Sequence, residues 1–242
     1  MTSEQPSHAL DPGDASVGPQ AEVDSPVARQ LQILSTEHWS LLATRSLIYT
    51  ESLSRVNMFF SVLSGAVISL ALIAQAGRFG QTFLVAAVLL LSIVIFVGIA
   101  TIARLMTVNG DDLRWVGGMN RLRHAYLEMH PELEKYFVAG WNDDARGISM
   151  TMGLEHLPSP SSLVNLGHGF QTLPGMLSVI VAVVAGALGA LVAVGLAAPI
   201  GTAVAIGACA FLLLPAVLTL YGWRSISRYT KILNPRFPSP DR

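Results

Sequence analysis

The chain has 242 residues, a net charge of −1 and a mean hydropathy of +0.52, with 13% charged side chains against about 25% in an ordinary soluble domain. That deficit points to a membrane protein, and the lack of a basic stripe excludes nucleic acid as a partner. The single cysteine, Cys209, has no partner for an intramolecular disulfide.

Residues 1–26 are polar, acidic and broken by Pro6, Pro12, Pro19 and Pro26. Too little apolar surface is present to offset chain entropy, so a disordered tail is expected. No basic stretch precedes an apolar one there, so no cleavable signal peptide is expected.

Residues 27–55 lack Pro and Gly, and Leu34, Leu41 and Ile48 recur every seven residues, with Leu31 and Leu42 beside them. This predicts a helix running unbroken into the first membrane span. Glu51 and Arg55 stand in the favourable order for an i,i+4 pair, and Trp39 is expected to pack rather than to stack on a ligand.

Val56 to Ala76 is an uncharged run of twenty-one residues. At ~1.5 Å per residue it covers about 30 Å, the hydrocarbon thickness of a bilayer. A glycine-rich link, Gly77 to Gln81, leads into a second uncharged run ending at Ala103, so residues 56–104 read as an antiparallel transmembrane hairpin. Ser61, Gly65 and Ser69 lie at i, i+4 and i+8 on the first span. They form a candidate helix-packing face, or alternatively a pore lining.

The second helix is expected to continue through the segment 105–140. Trp115, Met119, Leu122, Tyr126 and Met129 step by four and three and form a candidate interaction seam against the N-terminal stripe. Gly117 and Gly118 predict a kink or a close helix contact. His130-Pro131 predicts the end of the helix, with Pro131 in the first turn of a short one. Residues 141–174 read as an irregular loop.

Residues 175–222 read as a second hairpin turning at Ala198-Pro199. Ala182/Gly186, Ala185/Gly189 and Ala203/Gly207 are small-residue pairs that predict tight packing. Tyr221, Trp223 and Tyr229 form an expected interfacial anchor, and residues 223–242 a proline-broken tail. Of the fifteen basic residues only Arg78 falls in a hairpin turn. The positive-inside rule therefore places both termini and the central segment in the cytoplasm, on a cytoplasmic (inner) membrane.

The apolar runs contain no Asp, Glu, Lys, Arg or His, which counts against ion-coupled transport. No catalytic, cofactor-binding or metal motif is found. His124, Glu128, His130 and the pairs Asp111-Asp112 and Asp143-Asp144 read first as surface, capping or solvent-facing groups. His124, Glu128, Asp143 and Asp144 are the residues that a membrane-surface lipid-modifying enzyme would need.

The stretches HWSLLATRSLIYTESLSRVNMFFSVLSGAVISLALIAQ and RWVGGMNRLRHAYLEMHPELEKYF, followed by NDDARG, resemble an uncharacterised family of actinobacterial multi-pass integral membrane proteins. The likeness runs from about Glu37 to the last span. The hairpin with long cytoplasmic helices is also similar in architecture to SLATT-type membrane hairpin domains, proposed as pore-forming effectors; the second hairpin is a departure from that pattern.

The expectation is an all-α membrane protein with four transmembrane helices in two antiparallel hairpins and long cytoplasmic extensions of the first. It is expected to be non-enzymatic and without cofactor, in contact with the lipid bilayer, and to form a homo-oligomer or hold a protein partner at its cytoplasmic helices. An oligomeric pore is the alternative.

Overall fold

The computed structural model describes residues 25–77, 79–153, 172–232 and 234–240, with backbone only at 223 and 225–232. The tail up to residue 24, Arg78, residues 154–171 of the expected irregular loop and the side chains of Trp223 and Tyr229 lie outside the described residues. Every element is helical and no strand occurs among the described residues. The helices are α1 (Pro26–Gly77), α2 (Gln81–Met129), α3 (Ala145–Thr151), α4 (Leu173–Gly195) and α5 (Ile200–Ile232), with a 3-10 helix at Pro131–Tyr136. Four of them, α1, α2, α4 and α5, are long and apolar enough to cross a membrane.

The chain divides into two compact units, residues 1–40 and 41–242. In the first, α1 begins at Ser25, whose Oγ accepts from the Ala28 N–H at 3.1 Å, a capping contact. Trp39 is 68% exposed. The described part of this unit is a single helix, which offers a side chain no second surface.

The second unit holds the core. Phe59 of α1, Val94 and Ile102 of α2, and Leu177 and Val181 of α4 are fully buried in one cluster. Gly98 of α2 sits where a methyl would meet Phe59 and Val181, so its missing side chain sets how closely three helices converge. Buried Thr101 and Ser178 donate their hydroxyls to carbonyls of their own helix, Val97 and Gly175, so both have acceptors within the apolar layer.

The closest approach lies between α4 and α5. A Cβ on Gly186 would lie 2.9 Å from the Gly207 carbonyl oxygen, and one on Gly207 2.8 Å from that of Gly186. The small-residue pairs predicted in these helices thus mark a backbone-to-backbone contact, where van der Waals packing is at its densest. The link between them turns through Ala197 at φ 60°, and the Ala198 N–H donates to the Ala193 carbonyl at 3.0 Å, closing α4 in the manner of a Schellman motif. Pro215 lies inside α5 and withholds one main-chain donor from its ladder, a defect that neighbouring helices make tolerable.

α2 runs without a break past Gly117 and Gly118. Close contact, and not a kink, is their role: a methyl on Gly118 would lie 3.3 Å from Leu41 Cδ1, and one on Gly117 3.5 Å from Ile148 Cδ1. α2 ends at His130, and Pro131 opens the short helix as expected, in 3-10 form. Two sets of ion pairs brace α1 against α2 beyond their apolar runs. Arg45 binds Asp112 through both carboxylate oxygens at 2.6 and 2.9 Å, and Glu51 accepts from Arg104 and from Arg55.

Candidate functional site

The polar end of α2 carries a built site that composition and periodicity do not indicate. Its frame is the turn Gly140 to Gly147. A methyl on Gly147 would overlap the Asn142 carbonyl, and one on Gly140 would overlap the Gly147 carbonyl. Only glycine at both positions lets the chain fold this tightly. Asn120 of α2, fully buried, fixes the turn from beneath. Its Nδ2 donates to the Asn142 carbonyl at 2.7 Å, and its Oδ1 accepts from Arg123 at 2.7 Å and from the Thr151 hydroxyl at 2.8 Å.

On this frame Asp143 and Asp144 stand side by side. Asp144 caps α3 by accepting from the Gly147 N–H at 2.8 Å, the capping role that adjacent acids suggest. Asp143 does not face solvent as expected; its side chain is fully buried. Its partners come from the far end of the chain. The Arg236 N–H donates to Asp143 Oδ2 at 2.9 Å, the Phe237 N–H to Asp143 Oδ1 at 2.8 Å, and the Ser239 N–H and hydroxyl to the two oxygens of Asp144 at 2.9 and 3.0 Å.

Arg121 of α2 donates to Asp143 Oδ2 at 2.6 Å and to the Asn234 carbonyl at 3.2 Å. Asn142 Nδ2 lies 3.3 Å from both the Phe237 and Pro238 carbonyls. The Phe237 ring stacks on His124 with centroids 4.2 Å apart and planes 23° from parallel. Residues 234–240 thus form a strap held in an acid-pair clasp, and not the loose end that their proline content suggests.

Burial works to raise both carboxyls, but the strap's N–H groups and Arg121 at Asp143, and Gly147 and Ser239 at Asp144, outweigh it. Both carboxyls are held below the usual carboxylate range, as anions receiving several hydrogen bonds are. Asp143 Oδ2 and Asp144 Oδ1 each accept from two donors, and Asp143 Oδ1 and Asp144 Oδ2 from one each. No group of three potential metal ligands occurs among the described residues. His124 and Glu128 share a face, at 3.6 Å.

Of the residues singled out from sequence, His124, Asp143 and Asp144 meet at the strap, and the seam and the small-residue face do not form part of it. On the seam, Met119 is buried while Trp115, Leu122, Tyr126 and Met129 are half-buried, interleaved along α2 with Asn120 and Arg121. Ser61, Gly65 and Ser69 are exposed. Their hydroxyls donate to the carbonyls four residues back, and nothing lies within 4 Å of a Cβ built on Gly65. A separate open cleft of about 620 Å³ lies beside the Arg45–Asp112 pair, lined also by Tyr49, Leu105, Asn109 and Pro174.

Compared with models of protein families, with curated proteins and with solved structures, the chain has no match in any of the three.

Proposed function

We propose that this is a non-enzymatic, multi-pass protein of the cytoplasmic membrane that assembles with itself or with partners through its polar helices. In this reading the four apolar helices cross the bilayer as two antiparallel hairpins. Both termini and the α2–α3 region lie in the cytoplasm, where fourteen of the fifteen basic residues then stand. The observation that carries the reading is the clasp. The most elaborate polar arrangement described in the chain grips a linear peptide segment by its main chain, and does so with carboxylates whose every oxygen accepts from at least one donor. Recognition is what such a site does well, whereas a general acid or base must reach substrate, and the Asp143 side chain is fully buried.

Tyr49 of α1, 64% exposed at the cleft beside the locked Arg45–Asp112 pair, adds an amphipathic ring on a braced helix, the kind of side chain that partners cover. Replacing Leu122 and Tyr126 by Glu tests the reading. Loss of higher-order assembly in nanodiscs is the expected result, and unchanged oligomeric mass and partner capture would refute it.

A second reading, an oligomeric pore, is favoured by the outward-facing Ser61, Gly65 and Ser69, which a ring of copies would turn inward. Reconstituted protein without conductance across lipid compositions and voltages would exclude it.

A further inference from the structure

Clasp and strap have the properties of a binding site and a linear ligand. From Pro235 to Pro240 the strap owns three main-chain N–H groups, because residues 235, 238 and 240 are proline. The acid pair takes all three, from Arg236, Phe237 and Ser239. The same prolines hold φ near about −65°, so the free segment already favours extended conformers and has little freedom to lose on docking. The described hydrogen bonds of residues 234–240 to the rest of the chain end on Arg121, Asn142, Asp143 and Asp144, and Phe237 adds its stack on His124. Seven consecutive residues therefore carry the whole recognition, and none of these contacts depends on strap and clasp belonging to one chain.

We infer that the clasp is a peptide-binding site that accepts the Pro-Arg-Phe-Pro-Ser-Pro segment of a second copy as well as the chain's own. This rests on the assembly reading above. The one ligand sequence shown to fit is the chain's own, so each copy brings one site and one ligand. Reciprocal exchange between two copies then closes at a dimer. Copies sharing a membrane also share one orientation, which sets the straps and clasps of neighbours at the same height. Exchange conserves each hydrogen bond, and what separates the closed from the exchanged form is the tether to α5, which gives a copy's own strap the higher effective concentration. A copy whose strap is disabled takes its neighbour's.

The test uses two differently tagged full-length variants, co-reconstituted in nanodiscs. Asp143→Asn with Asp144→Asn removes the clasp and keeps the strap. Phe237→Ala with Ser239→Pro removes the stack and the donors to Asp144 and keeps the clasp. The complementary mixture is expected to pair roughly tenfold more than either variant with itself, a difference of about 1.4 kcal/mol, and excess acetyl-Asn-Pro-Arg-Phe-Pro-Ser-Pro amide is expected to dissolve the pair. In a second measurement, the same peptide carrying a fluorophore is expected to bind the strap-disabled chain and, several-fold more weakly, the intact one.

Equal pairing in every mixture overturns the inference and leaves the assembly reading standing, with its contacts elsewhere. Pairing by the intact chain but not by the complementary mixture also overturns it. No pairing in any mixture, the intact chain included, overturns both. A strap-disabled chain that keeps its thermal unfolding midpoint yet fails to bind the peptide reduces the strap to a structural cap.

Discussion

Phe237 and Asp143 hold each other by two hydrogen bonds across 94 positions of sequence. The Phe237 N–H donates to Asp143 Oδ1 at 2.8 Å, and the Asp143 N–H donates to the Phe237 carbonyl at 3.2 Å. A side chain and a main chain thus pair as two strands would, which makes the end of the chain part of the α2–α3 region.

Asp143→Asn removes the charge and turns an amide toward donors that need an acceptor. Leaving such buried groups unpaired costs ~1–3 kcal/mol. The Arg236–Phe237 peptide bond is a tryptic site inside the strap, and brief proteolysis is expected to release the peptide beginning at Phe237 at least about tenfold faster from the variant. Equal release rates would show that the strap is not held by Asp143.

Acid should open the clasp. Both aspartates have folded-state pKa values below the ordinary range, so they bind fewer protons when the strap is docked. The stabilisation is therefore complete above the ordinary carboxylate value of about 3.9 and is lost as pH falls through the depressed folded values. A 4-fluorophenylalanine at position 237 reports the stack on His124 by 19F NMR. Its docked shift is expected to persist through neutral and mildly acidic pH and to collapse below about pH 4. Collapse on raising the pH would contradict the sign.

Gly147→Ala places a methyl on the Asn142 carbonyl, and neither backbone can yield without breaking the Asn120 contacts. Overpacking of this kind costs ~1–3 kcal/mol, and loss of strap protection in hydrogen exchange is expected with it. Gly65→Ala, with nothing within 4 Å, is expected to leave the fold unchanged. A change in oligomeric mass on that substitution would place the Ser61, Gly65, Ser69 face in a contact between copies.

Gly207→Val inserts two methyls and a branch point against the Gly186 carbonyl. Separation of α4 from α5 is expected, read as a fall in the thermal unfolding midpoint in detergent, while the Arg236–Phe237 bond stays as resistant as in the parent. Loss of both together would mean that the strap depends on the α4–α5 contact.

The long helices were legible because length and uninterrupted apolarity are local properties. The end of α2 was legible because Pro131 constrains the residue before it. The Gly117-Gly118 contact was half legible: two glycines announce either a kink or a close neighbour, and only Leu41 and Ile148 decide which. The clasp was not legible. Its halves are an aspartate pair and a proline-rich segment, each with an ordinary local explanation, capping for one and a proline-broken tail for the other, and no periodicity joins residues this far apart. The usable signal was chemical: prolines at 235, 238 and 240 leave three donors in a short segment, and two adjacent acids supply the acceptors. That matching can be noticed in a sequence, but the pairing itself is a tertiary fact.

α2 is forty-nine residues of unbroken helix, a shaft of about 74 Å. Within its apolar half it is keyed to α4 through Gly98 and Val181, and nearer its C-terminal end it carries Asn120 and Arg121, which seat the strap. One helix with no break in it therefore takes part both in the apolar cluster and in the seat of the strap, so the two are joined by a single continuous backbone ladder.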